Sequence, residues 1–583
     1  MPTLEWIGKS KVINHHQDVP FRVLERKYSF DENGQHNEDN GSENMIIRGD
    51  NLEALKALLP RYEGRVKCIY IDPPYNTGNE GWVYNDNVND PKIKKWLGEV
   101  VGKEGEDLTL HDKWLCMMYP RLKLLQKLLA DAGVIFISID DNELYNLKAI
   151  CDEIFGSNNF VANVIWQKTY SPRNDALGIP YETDNILVYS KTGRWFPNKL
   201  ERTAAMDERH DSPDNDPIPW QSGDVSAAGA ADHQGMVYAI QQPITGKLLY
   251  PASGRHWKDE QTVVLQRMNK WAKYELRNID DASVRAALCG ISIESVRQDV
   301  MAVMLAQPIE EATVQATARY EEGTWPEYYF TSKGKGGIRF KNHIKQDVGK
   351  SATNLWFYGD VGHTDEAKKE LKGIFSGVAP IETPKPRRLI ERILHIAADS
   401  NAIILDSFAG SGTTAHAVLN MNKADGGHRK FILVEMMDYA DSITAERVKR
   451  VIRGYGEGKN AVEGTGGNFS FYDLGEPLLH GDVLNENVGV EKIREYVYFT
   501  DTKASLPESH PDEPYFMGVH IGSAYYFYYE KQAVTTLNRE FLHTVKTEAD
   551  AYVIYADLCT LSEAELEKYH ITFKKIPRDI TKL

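Results

Sequence analysis

Short apolar runs alternate with amphipathic stretches in two separate parts of the chain. Apolar runs predict buried strands, and apolar positions that recur every three to four residues predict helices. The first part carries the predicted strands 45–49, 66–71 and 133–139 and the predicted helices 51–59, 112–131 and 142–155. The second part carries the strands 402–406 and 430–435 and the helices 386–398, 413–421 and 442–453. This alternation indicates crossover units and a mostly parallel sheet, but neither part alone supplies enough strands for a full doubly wound sheet.

The remaining stretches lack this alternation and separate the two α/β parts from the rest of the chain. Residues 29–44 are polar and turn-forming, the region between the two parts is rich in Pro, Gly and Trp with a hairpin signal around Thr245 and Gly246, and a glycine-rich passage follows Arg453. We therefore predict an N-terminal arm, a first α/β half, an inserted domain, a second α/β half, a linker and a C-terminal α+β domain. Their predicted bounds are 1–44, 45–169, 170–380, 381–453, 454–469 and 470–583.

Composition and charge exclude several classes of protein. The 583 residues are 42% hydrophobic and 26% charged, as in folded globular proteins, and the net charge of −16 excludes a uniformly basic surface. Any contact with nucleic acid is therefore expected at a local basic patch. Five cysteines without a Cys-x-x-Cys pair indicate neither a disulfide framework nor a thiolate zinc site. The lack of a signal peptide and of a long apolar run predicts a cytoplasmic protein without a membrane span.

A glycine-containing turn links a predicted strand to a predicted helix in AIILDSFAGSGTTAHAVL, residues 402–419. The strand ends at Asp406, and Gly410 and Gly412 allow a tight turn that a ligand can approach closely. Glu435 ends the next predicted strand, where a carboxylate can bind a ribose. The pattern favours a cofactor that contains adenosine. It leaves open whether that cofactor is a nicotinamide or flavin dinucleotide or another compound.

The tetrapeptide Asp72-Pro73-Pro74-Tyr75 directly follows the predicted strand 66–71. Open α/β sheets place ligands at this end of a strand, and two consecutive prolines stiffen the turn and remove two backbone donors. An exocyclic amine of a nucleobase becomes a better nucleophile when acceptors bind its N–H groups, and the Asp72 carboxylate and the Pro73 carbonyl are suitable acceptors. Tyr75 offers a face on which a flipped-out base can stack. An ordinary turn at a strand end is the alternative interpretation.

Together, the tetrapeptide and the glycine turn resemble the β-class DNA amino-methyltransferases. Over most of the chain, further phrases resemble the modification subunits of type III restriction-modification systems. These phrases are DKWLCMMYPRL at 112–122, GVIFISIDDNE at 133–143, DEIFGSNNF at 152–160, VIWQK at 164–168 and GDVGHTDEAKKEL at 359–371. The resemblance implies a circularly permuted S-adenosylmethionine-dependent methyltransferase fold. In that Rossmann-like sheet the catalytic half precedes the cofactor-binding half, and a target-recognition domain is inserted between them.

The resemblance also implies an activity and a set of site residues. The implied activity is methyl transfer from S-adenosylmethionine to adenine N6 in duplex DNA after base flipping, because the aspartate form of the tetrapeptide usually accompanies adenine. The implied catalytic residues are Asp72, Pro73, Pro74 and Tyr75. The implied cofactor-binding residues are Asp50, Lys385, Pro386, Asp406, Phe408, Gly410, Gly412, Thr413 and Glu435. Asp50 corresponds to the residue near the cofactor adenine and Glu435 to the ribose ligand, and no metal is implied.

Recognition of the DNA sequence is expected in the inserted domain, since the two α/β halves supply only a base pocket and a cofactor cleft. From Lys333 to Lys350 the chain has six Lys or Arg residues and one acid, Asp347. Such a run suits phosphate contacts, although a solvated lysine-rich loop is the alternative. The candidate DNA-contacting residues are Trp166, Lys168, Lys333, Lys335, Arg339, Lys341 and Lys345.

The implied partners are double-stranded DNA, a second copy of the chain in a homodimer, and a separate restriction subunit with helicase and nuclease activities. The aromatic cluster 525–529 favours either a packed strand or an assembly surface. Four alternatives stay open. They are a cytosine N4 methyltransferase, an orphan or other defence-system methyltransferase, a specificity subunit without catalytic activity, and a dinucleotide oxidoreductase, which would leave the Pro-Pro segment unused.

Overall fold

The computed structural model describes residues 3–77, 110–171, 178–202, 212–344, 349–507 and 512–578. The chain folds into two compact units. One unit is formed by residues 1–198 and 351–583, and the other by residues 199–350. In the described ranges, no helix combines the length and the apolar composition needed to cross a bilayer.

An eleven-stranded sheet forms the centre of the first unit, counted over the described residues. Its strands in chain order are β1 (Arg22–Asp31), β2 (Gly34–His36), β3 (Met45–Arg48), β4 (Val66–Ile71), β5 (Leu129–Ile139), β6 (Phe160–Gln167), β7 (Thr183–Ser190), β8 (Leu355–Trp356), β9 (Ile403–Asp406), β10 (Lys430–Glu435) and β11 (Phe469–Pro477). They lie in the order β8-β6-β7-β5-β4-β9-β10-β3-β11-β1-β2. Neighbours in the run β5-β4-β9-β10-β3-β11 pair in parallel, whereas β7 and β1 are antiparallel to their neighbours.

Strands from the two predicted α/β halves pair directly at the middle of this sheet. Cys68 of β4 is aligned with Ile404 of β9, and Ile69 with Leu405, although the two strands are far apart in the chain. Each half therefore supplies part of one continuous sheet, and the half that contains the Asp-Pro-Pro-Tyr segment comes first in the sequence. The predicted α/β fold with permuted order is confirmed.

Helices connect most of these strands. The helices of the first unit are Lys9–Val12, His15–Asp18, Asn51–Tyr62, Leu110–Leu128, Leu144–Cys151, Tyr358–Val361, Thr364–Ile374, Arg387–Ala397, Thr413–Asp425, Glu446–Arg453, Val490–Thr502, Arg539–Leu542 and Glu563–Lys568. Trp114, Met118 and Leu122 recur at helical spacing on Leu110–Leu128, and their side chains are buried in the main core, as that spacing predicts. The predicted helix 142–155 is shorter and continues as a π-helical turn over Asp152–Gly156.

The predicted N-terminal arm and the region after the second α/β half each contribute a strand to the large sheet, which was not predicted. β1 lies within the predicted arm, where it pairs with β11 from the opposite end of the chain. β11 begins where the linker was expected to end, and within that linker Gly454–Tyr455 and Val462–Glu463 form a short hairpin. The sequence did not predict β1, because its partner strand β11 lies at the opposite end of the chain and no strand-helix-strand pattern marks it. The sheet therefore begins well before Met45.

A smaller sheet follows in the C-terminal part of this unit. Its strands lie in the order Phe516–His520, Ser523–Phe527, Ala551–Ala556 and Ile571–Lys575. Tyr526, Phe527 and Tyr529 are buried, so these members of the aromatic cluster pack inside the fold and do not form an exposed surface.

The second unit is a separate α/β module with two larger sheets and one two-stranded sheet, again counted over described residues. One has the order Leu248–Leu249, Ile240–Gln241, Ala302–Leu305 and Tyr274–Arg277, and the other the order Tyr328–Phe330, Ile338–His343 and Trp220–Gly223. Its described helices are Gln261–Met268, Ala282–Cys289, Ile309–Glu321 and Thr331–Gly334, and Ser226–Ala228 pairs with Arg255–Trp257 in the two-stranded sheet. The pairing of Ile240 with Leu249 forms the hairpin predicted around Gly246.

The second unit is shorter than the predicted insertion of residues 170–380. β7 and β8, together with helix Thr364–Ile374, belong to the first unit. The sequence pattern missed this because β7 is antiparallel to its neighbours and therefore does not follow the strand-helix-strand rhythm.

Candidate active site

Four acidic residues follow or end adjacent parallel strands of the large sheet. Asp72 follows β4, Asp406 ends β9, Glu435 ends β10, and Asp50 lies two residues beyond β3. Because β4, β9, β10 and β3 are parallel neighbours, these residues lie along one edge of the sheet. The tetrapeptide and the glycine turn therefore lie beside each other.

A cavity of about 530 Å³ opens at this edge, a size typical of ligand sites. The tetrapeptide contributes Asp72, Pro73 and Tyr75 to its lining. From the candidate cofactor residues come Lys385, Asp406, Phe408, Gly410 and Thr413, and from the candidate DNA-contacting residues Trp166 and Lys168. Pro74, Asp50, Pro386, Gly412 and Glu435 are not among the described lining residues. The cavity thus brings together segments that the sequence predicts to act on a base and on a cofactor.

Lys385 forms a bidentate ion pair with Asp72 in this cavity. Its Nζ donates to Oδ1 at 2.7 Å and to Oδ2 at 2.6 Å, and it lies 4.9 Å from the centre of the Tyr75 ring. Each oxygen of an ionised carboxylate has two lone pairs, so Asp72 retains acceptor capacity for a further donor. The sequence indicated that Lys385 neighbours a cofactor but gave no sign of this contact with Asp72.

Neighbouring side chains fix the conformation of the tetrapeptide. The Trp114 indole donates to the carbonyl of Pro74 at 2.7 Å, whereas nothing in the described residues donates to the carbonyl of Pro73. After Tyr75 the chain turns through Asn76 with φ 61°, and the Asn76 amide donates to the buried Glu143 carboxylate at 2.6 Å. The Pro73 carbonyl thus stays available as an acceptor beside Asp72.

The Tyr75 phenol is held in its protonated form. Burial raises the pKa of Tyr75 well above its ordinary value, and the negative charges of Asp72 and Asp184 raise it further. Tyr75 and Asp184, which belongs to β7, both line the cavity. The Tyr75 ring is a neutral aromatic surface inside the cavity.

The glycine turn after β9 is held by its own backbone and by two carboxylates. Gly410 and Gly412 have φ of 51° and 80°, and a Cβ on Gly412 would lie 3.0 Å from the carbonyl oxygen of Thr444. Asp406 accepts hydrogen bonds from the Phe408 amide at 3.1 Å and from a threonine hydroxyl at 2.6 Å. Glu435 accepts one from the Gly410 amide at 2.8 Å. The positive φ of Gly412 and the nearby Thr444 carbonyl together favour glycine at position 412.

Both carboxyl groups titrate near neutral pH. Burial raises the pKa of Asp406 to about 7, even though Thr414 and the Phe408 amide donate hydrogen bonds to it. Burial likewise raises the pKa of Glu435 to about 7, although three backbone amides donate hydrogen bonds that lower it. Asp72 adds a small further increase to the pKa of Asp406, since like charges repel.

Asp50 is already engaged by the protein. It is the N-cap of helix Asn51–Tyr62, where its Oδ1 accepts from the amides of Leu52 and Glu53. Its other oxygen pairs with the buried Arg121 at 3.1 Å. The side chain remains 31% exposed, so it can also accept a hydrogen bond from a ligand.

The wall opposite the glycine turn contains a second ion pair. Lys168 donates to Asp184 at 2.7 Å, and the buried Trp166 indole donates to the carbonyl of Gly362 at 3.0 Å. Sequence reasoning singled out Trp166 and Lys168 but missed Asp184, Thr364 and Asp365, which also line the cavity. For Asp140, another lining residue, it left open a helix cap or a contact with DNA. Thr364 and Asp365 lie in the phrase GDVGHTDEAKKEL, whose resemblance to modification subunits could have identified them.

The basic stretch of the second unit is only partly available for DNA. Lys341 lies on the central strand Ile338–His343, its side chain is 1% exposed, and its Nζ bridges Asp214 and Asp216 at 2.6 Å each. This burial argues against the prediction that Lys341 contacts phosphate, because its ammonium is enclosed and paired with two carboxylates. Lys333 and Lys335 are exposed, Arg339 lies 3.8 Å from Asp224, and Lys345 lies outside the described residues.

Comparison with known proteins places this site in a family. Residues 66–446 match the N6_N4_Mtase family, described as DNA methylase. The type III restriction-modification enzyme StyLTI Mod subunit of Salmonella typhimurium is 31% identical over 71% of this chain and 58% of its own length. The EcoP15I Mod subunit of Escherichia coli is 29% identical over 78% of this chain and 66% of its own length. The chain thus spans about three fifths of the length of these two relatives.

A third relative is covered more completely. The type II methyltransferase M.KpnI of Klebsiella pneumoniae is 30% identical over 68% of this chain and 81% of its own length. The family match begins at the first residue of β4 and ends beyond β10, so it includes the tetrapeptide, the glycine turn and the strands that bring them together. On this evidence, the chain belongs to the N6/N4 DNA methylase family.

Proposed function

We propose that this protein is a site-specific DNA methyltransferase that transfers a methyl group from S-adenosylmethionine to the N6 amine of an adenine flipped out of duplex DNA. The observation that carries the proposal is the shared cavity, which is lined on one side by Asp72, Pro73 and Tyr75 and on the other by Asp406, Phe408 and Gly410. The groups that would bind the amine and the cleft that would bind the cofactor thereby share one cavity.

The residues at the glycine turn fit S-adenosylmethionine. The described lining contains five carboxyl groups but only two groups of opposite sign, Lys168 and Lys385. The carboxyl groups are those of Asp72, Asp140, Asp184, Asp365 and Asp406. This excess suits a cofactor that carries a sulfonium and an ammonium. Two buried hydroxyls close to this edge, on Ser407 and Tyr439, have no hydrogen-bond partner among the described residues. Such hydroxyls can bond to a nucleoside or an amino-acid group. We assign Asp406, Phe408, Gly410, Thr413, Glu435 and Asp50 to holding this cofactor, which supplies an electrophilic methyl group when bound.

The tetrapeptide activates the amine. The Asp72 carboxylate and the Pro73 carbonyl accept the two N–H groups of N6, while the adenine stacks on Tyr75. The N6 lone pair would then attack the methyl carbon that the cofactor supplies, and the carbon–sulfur bond would break with its electrons on sulfur. The proton that N6 loses would pass to water by way of the Asp72 carboxylate. Lys385 keeps the Asp72 carboxylate oriented, and Pro74 fixes the turn through Trp114.

Substrate and partners follow from the same proposal. Similarity to the StyLTI and EcoP15I Mod subunits supports a role as the modification subunit of a type III-like system, with duplex DNA as substrate and a separate restriction subunit as partner. We further propose a homodimer, and we assign recognition of the DNA sequence to the second unit, where Lys333, Lys335 and Arg339 contact phosphates. Light scattering of the purified protein measures the subunit number, and two copies per particle are expected.

The test of the proposal identifies the methylated base. Purified protein is incubated with S-adenosylmethionine labelled in the methyl group and unmethylated genomic DNA, and the DNA is digested to nucleosides and separated. The expected product is labelled N6-methyldeoxyadenosine. Label in N4-methyldeoxycytidine would replace adenine by cytosine as the target, and the absence of label would contradict methyl transfer altogether.

A further inference from the structure

A buried arginine holds the glycine turn. Arg447 lies in helix Glu446–Arg453, and its side chain is 1% exposed. Its Nη1 donates to the hydroxyl of Ser411 at 2.8 Å and to that of Thr413 at 2.7 Å. Both hydroxyl-bearing residues line the cavity, whereas Arg447 itself is not among the described lining residues. Arg447 therefore reaches the cavity only through the turn.

The same guanidinium has two further neighbours. Its Nη2 donates to Glu370 at 3.2 Å and lies 3.2 Å from Nδ1 of the buried His416. Burial and the positive charge of Arg447 lower the pKa of His416, so the imidazole is neutral and its Nδ1 can accept a hydrogen bond. Arg447 thus contacts the turn, the helix that follows the turn, and helix Thr364–Ile374.

Glu370 extends this network to the other wall of the cavity. Its Oε1 accepts a hydrogen bond from Arg387 at 2.9 Å. Arg387 begins helix Arg387–Ala397 and follows directly after Lys385 and Pro386. A chain of charged contacts, Arg447–Glu370–Arg387, therefore connects the glycine turn to the segment that contains Lys385. The two segments are distant in sequence, yet they line one cavity.

A buried charged network of this kind is costly for stability alone. Removing a guanidinium from water carries a large free-energy cost that only good pairing offsets, and a well-packed apolar residue often serves packing equally well. Burial lowers the pKa of Arg447, which shows that pairing with Glu370 does not compensate fully for the loss of water. What an apolar side chain cannot do is fix the hydroxyls of Ser411 and Thr413 in a set direction.

We propose that Arg447 and Glu370 are positioning residues that fix the glycine turn relative to Lys385 and thereby set the affinity for S-adenosylmethionine. This inference rests on the proposed function, because it takes the turn to be the cofactor site. It assigns no contact with the reacting atoms to either residue.

The test compares variants of Arg447 and Glu370 with a matched control. The variants are Arg447→Gln, Arg447→Lys and Glu370→Gln. The control is Arg450→Gln, since Arg450 lies in the same helix and donates to the carbonyl of Ile374 at 2.8 Å, joining the same two helices without contact to the turn. Calorimetry measures the dissociation constant of S-adenosylmethionine without DNA, and initial rates on genomic DNA give KM and kcat.

Arg447→Gln is expected to raise the dissociation constant and the KM for S-adenosylmethionine at least about tenfold, which corresponds to about 1.4 kcal/mol. Arg447→Lys keeps the charge but not the two-pronged set of donors, so it should lose less affinity for S-adenosylmethionine than Arg447→Gln does. Glu370→Gln should weaken binding of S-adenosylmethionine about fivefold. Values of kcat at saturating cofactor should stay within about threefold, because the reacting groups are unchanged. Arg450→Gln should bind like the wild type.

Several outcomes would overturn the inference. One is a dissociation constant for Arg447→Gln within about twofold of the wild-type value, and another is a lowered kcat with an unchanged KM. If Arg447→Gln does not melt cooperatively by circular dichroism, Arg447→Lys and Glu370→Gln decide the matter, and unchanged binding in both overturns it. A wild-type protein that binds no S-adenosylmethionine contradicts the proposed function instead.

Discussion

The ammonium of Lys385 lies within 2.7 Å of both carboxylate oxygens of Asp72, and this contact joins the first residue of the tetrapeptide to a segment more than three hundred positions later in the chain. The pair is half-enclosed by the cavity, with side chains 12% and 23% exposed. A carboxylate held at both oxygens cannot rotate freely. Its remaining lone pairs therefore point in fixed directions, as an acceptor for an amine requires.

Replacing Lys385 should reduce turnover more than cofactor affinity. In Lys385→Met the Asp72 carboxylate loses its orienting partner, so kcat should fall at least about tenfold, a typical cost of misplacing a catalytic group. Lys385→Arg should retain more activity because it keeps the charge. The control is Lys423→Met, which removes a surface ion pair with Glu463. Initial rates on labelled cofactor check this, and a kcat for Lys385→Met within twofold of wild type would exclude the orienting role.

Asp406 makes the stability of the ligand-free protein depend on pH. Its pKa rises from 3.8 to about 7 on folding, so the folded state binds a proton more tightly than the unfolded state does. The ionised carboxylate therefore destabilises the fold, and this cost grows as pH rises from about 4 to 7 and is constant above 7.

Asp406→Asn should remove that pH-dependent cost. The gain in unfolding free energy over wild type should be larger at pH 8 than at pH 5 by about 2 kcal/mol, since the uncharged amide does not titrate. Changed hydrogen bonds to Thr414 affect both pH values equally and cancel in this comparison. Urea unfolding at the two pH values measures the difference. An equal change at pH 5 and pH 8 would show that the raised pKa of Asp406 does not occur.

Lys341 should matter for folding and not for DNA. Lys341→Met leaves Asp214 and Asp216 without their shared cation, so the second unit should lose about 3 kcal/mol of stability, as when one partner of a buried ion pair is removed. The exposed Lys333 is the control: Lys333→Met should melt like the wild type but weaken DNA binding and lower its dependence on salt. Thermal melting and binding at several salt concentrations separate the two. A Lys341→Met protein with wild-type stability would contradict the buried pairing.

The sequence predicted the chemistry at the sheet edge better than the bounds of the units. β4 and β9 are recognisable in the sequence as apolar runs, and the tetrapeptide and the glycine turn lie at their ends. Once both strands are placed in one parallel sheet, the tetrapeptide and the glycine turn are expected to lie close together. β1 was missed because its partner β11 is remote in sequence. β7 was missed because it is antiparallel to both of its neighbours, β5 and β6, and does not follow the strand-helix-strand rhythm. The contacts of Lys385 and Arg447 could not be predicted, since each depends on side-chain directions between helices that only packing determines.

The most direct test of the account measures methyl transfer by Asp72→Asn. The amide keeps the shape of the side chain but removes the negative charge from the acceptor, whereas Asp131→Asn changes an exposed aspartate outside the cavity and serves as the control. The account predicts that Asp72→Asn binds S-adenosylmethionine like the wild type but incorporates labelled methyl groups into DNA at least about a hundredfold more slowly. Transfer by Asp72→Asn at the rate of Asp131→Asn would contradict the claim that this carboxylate activates the amine.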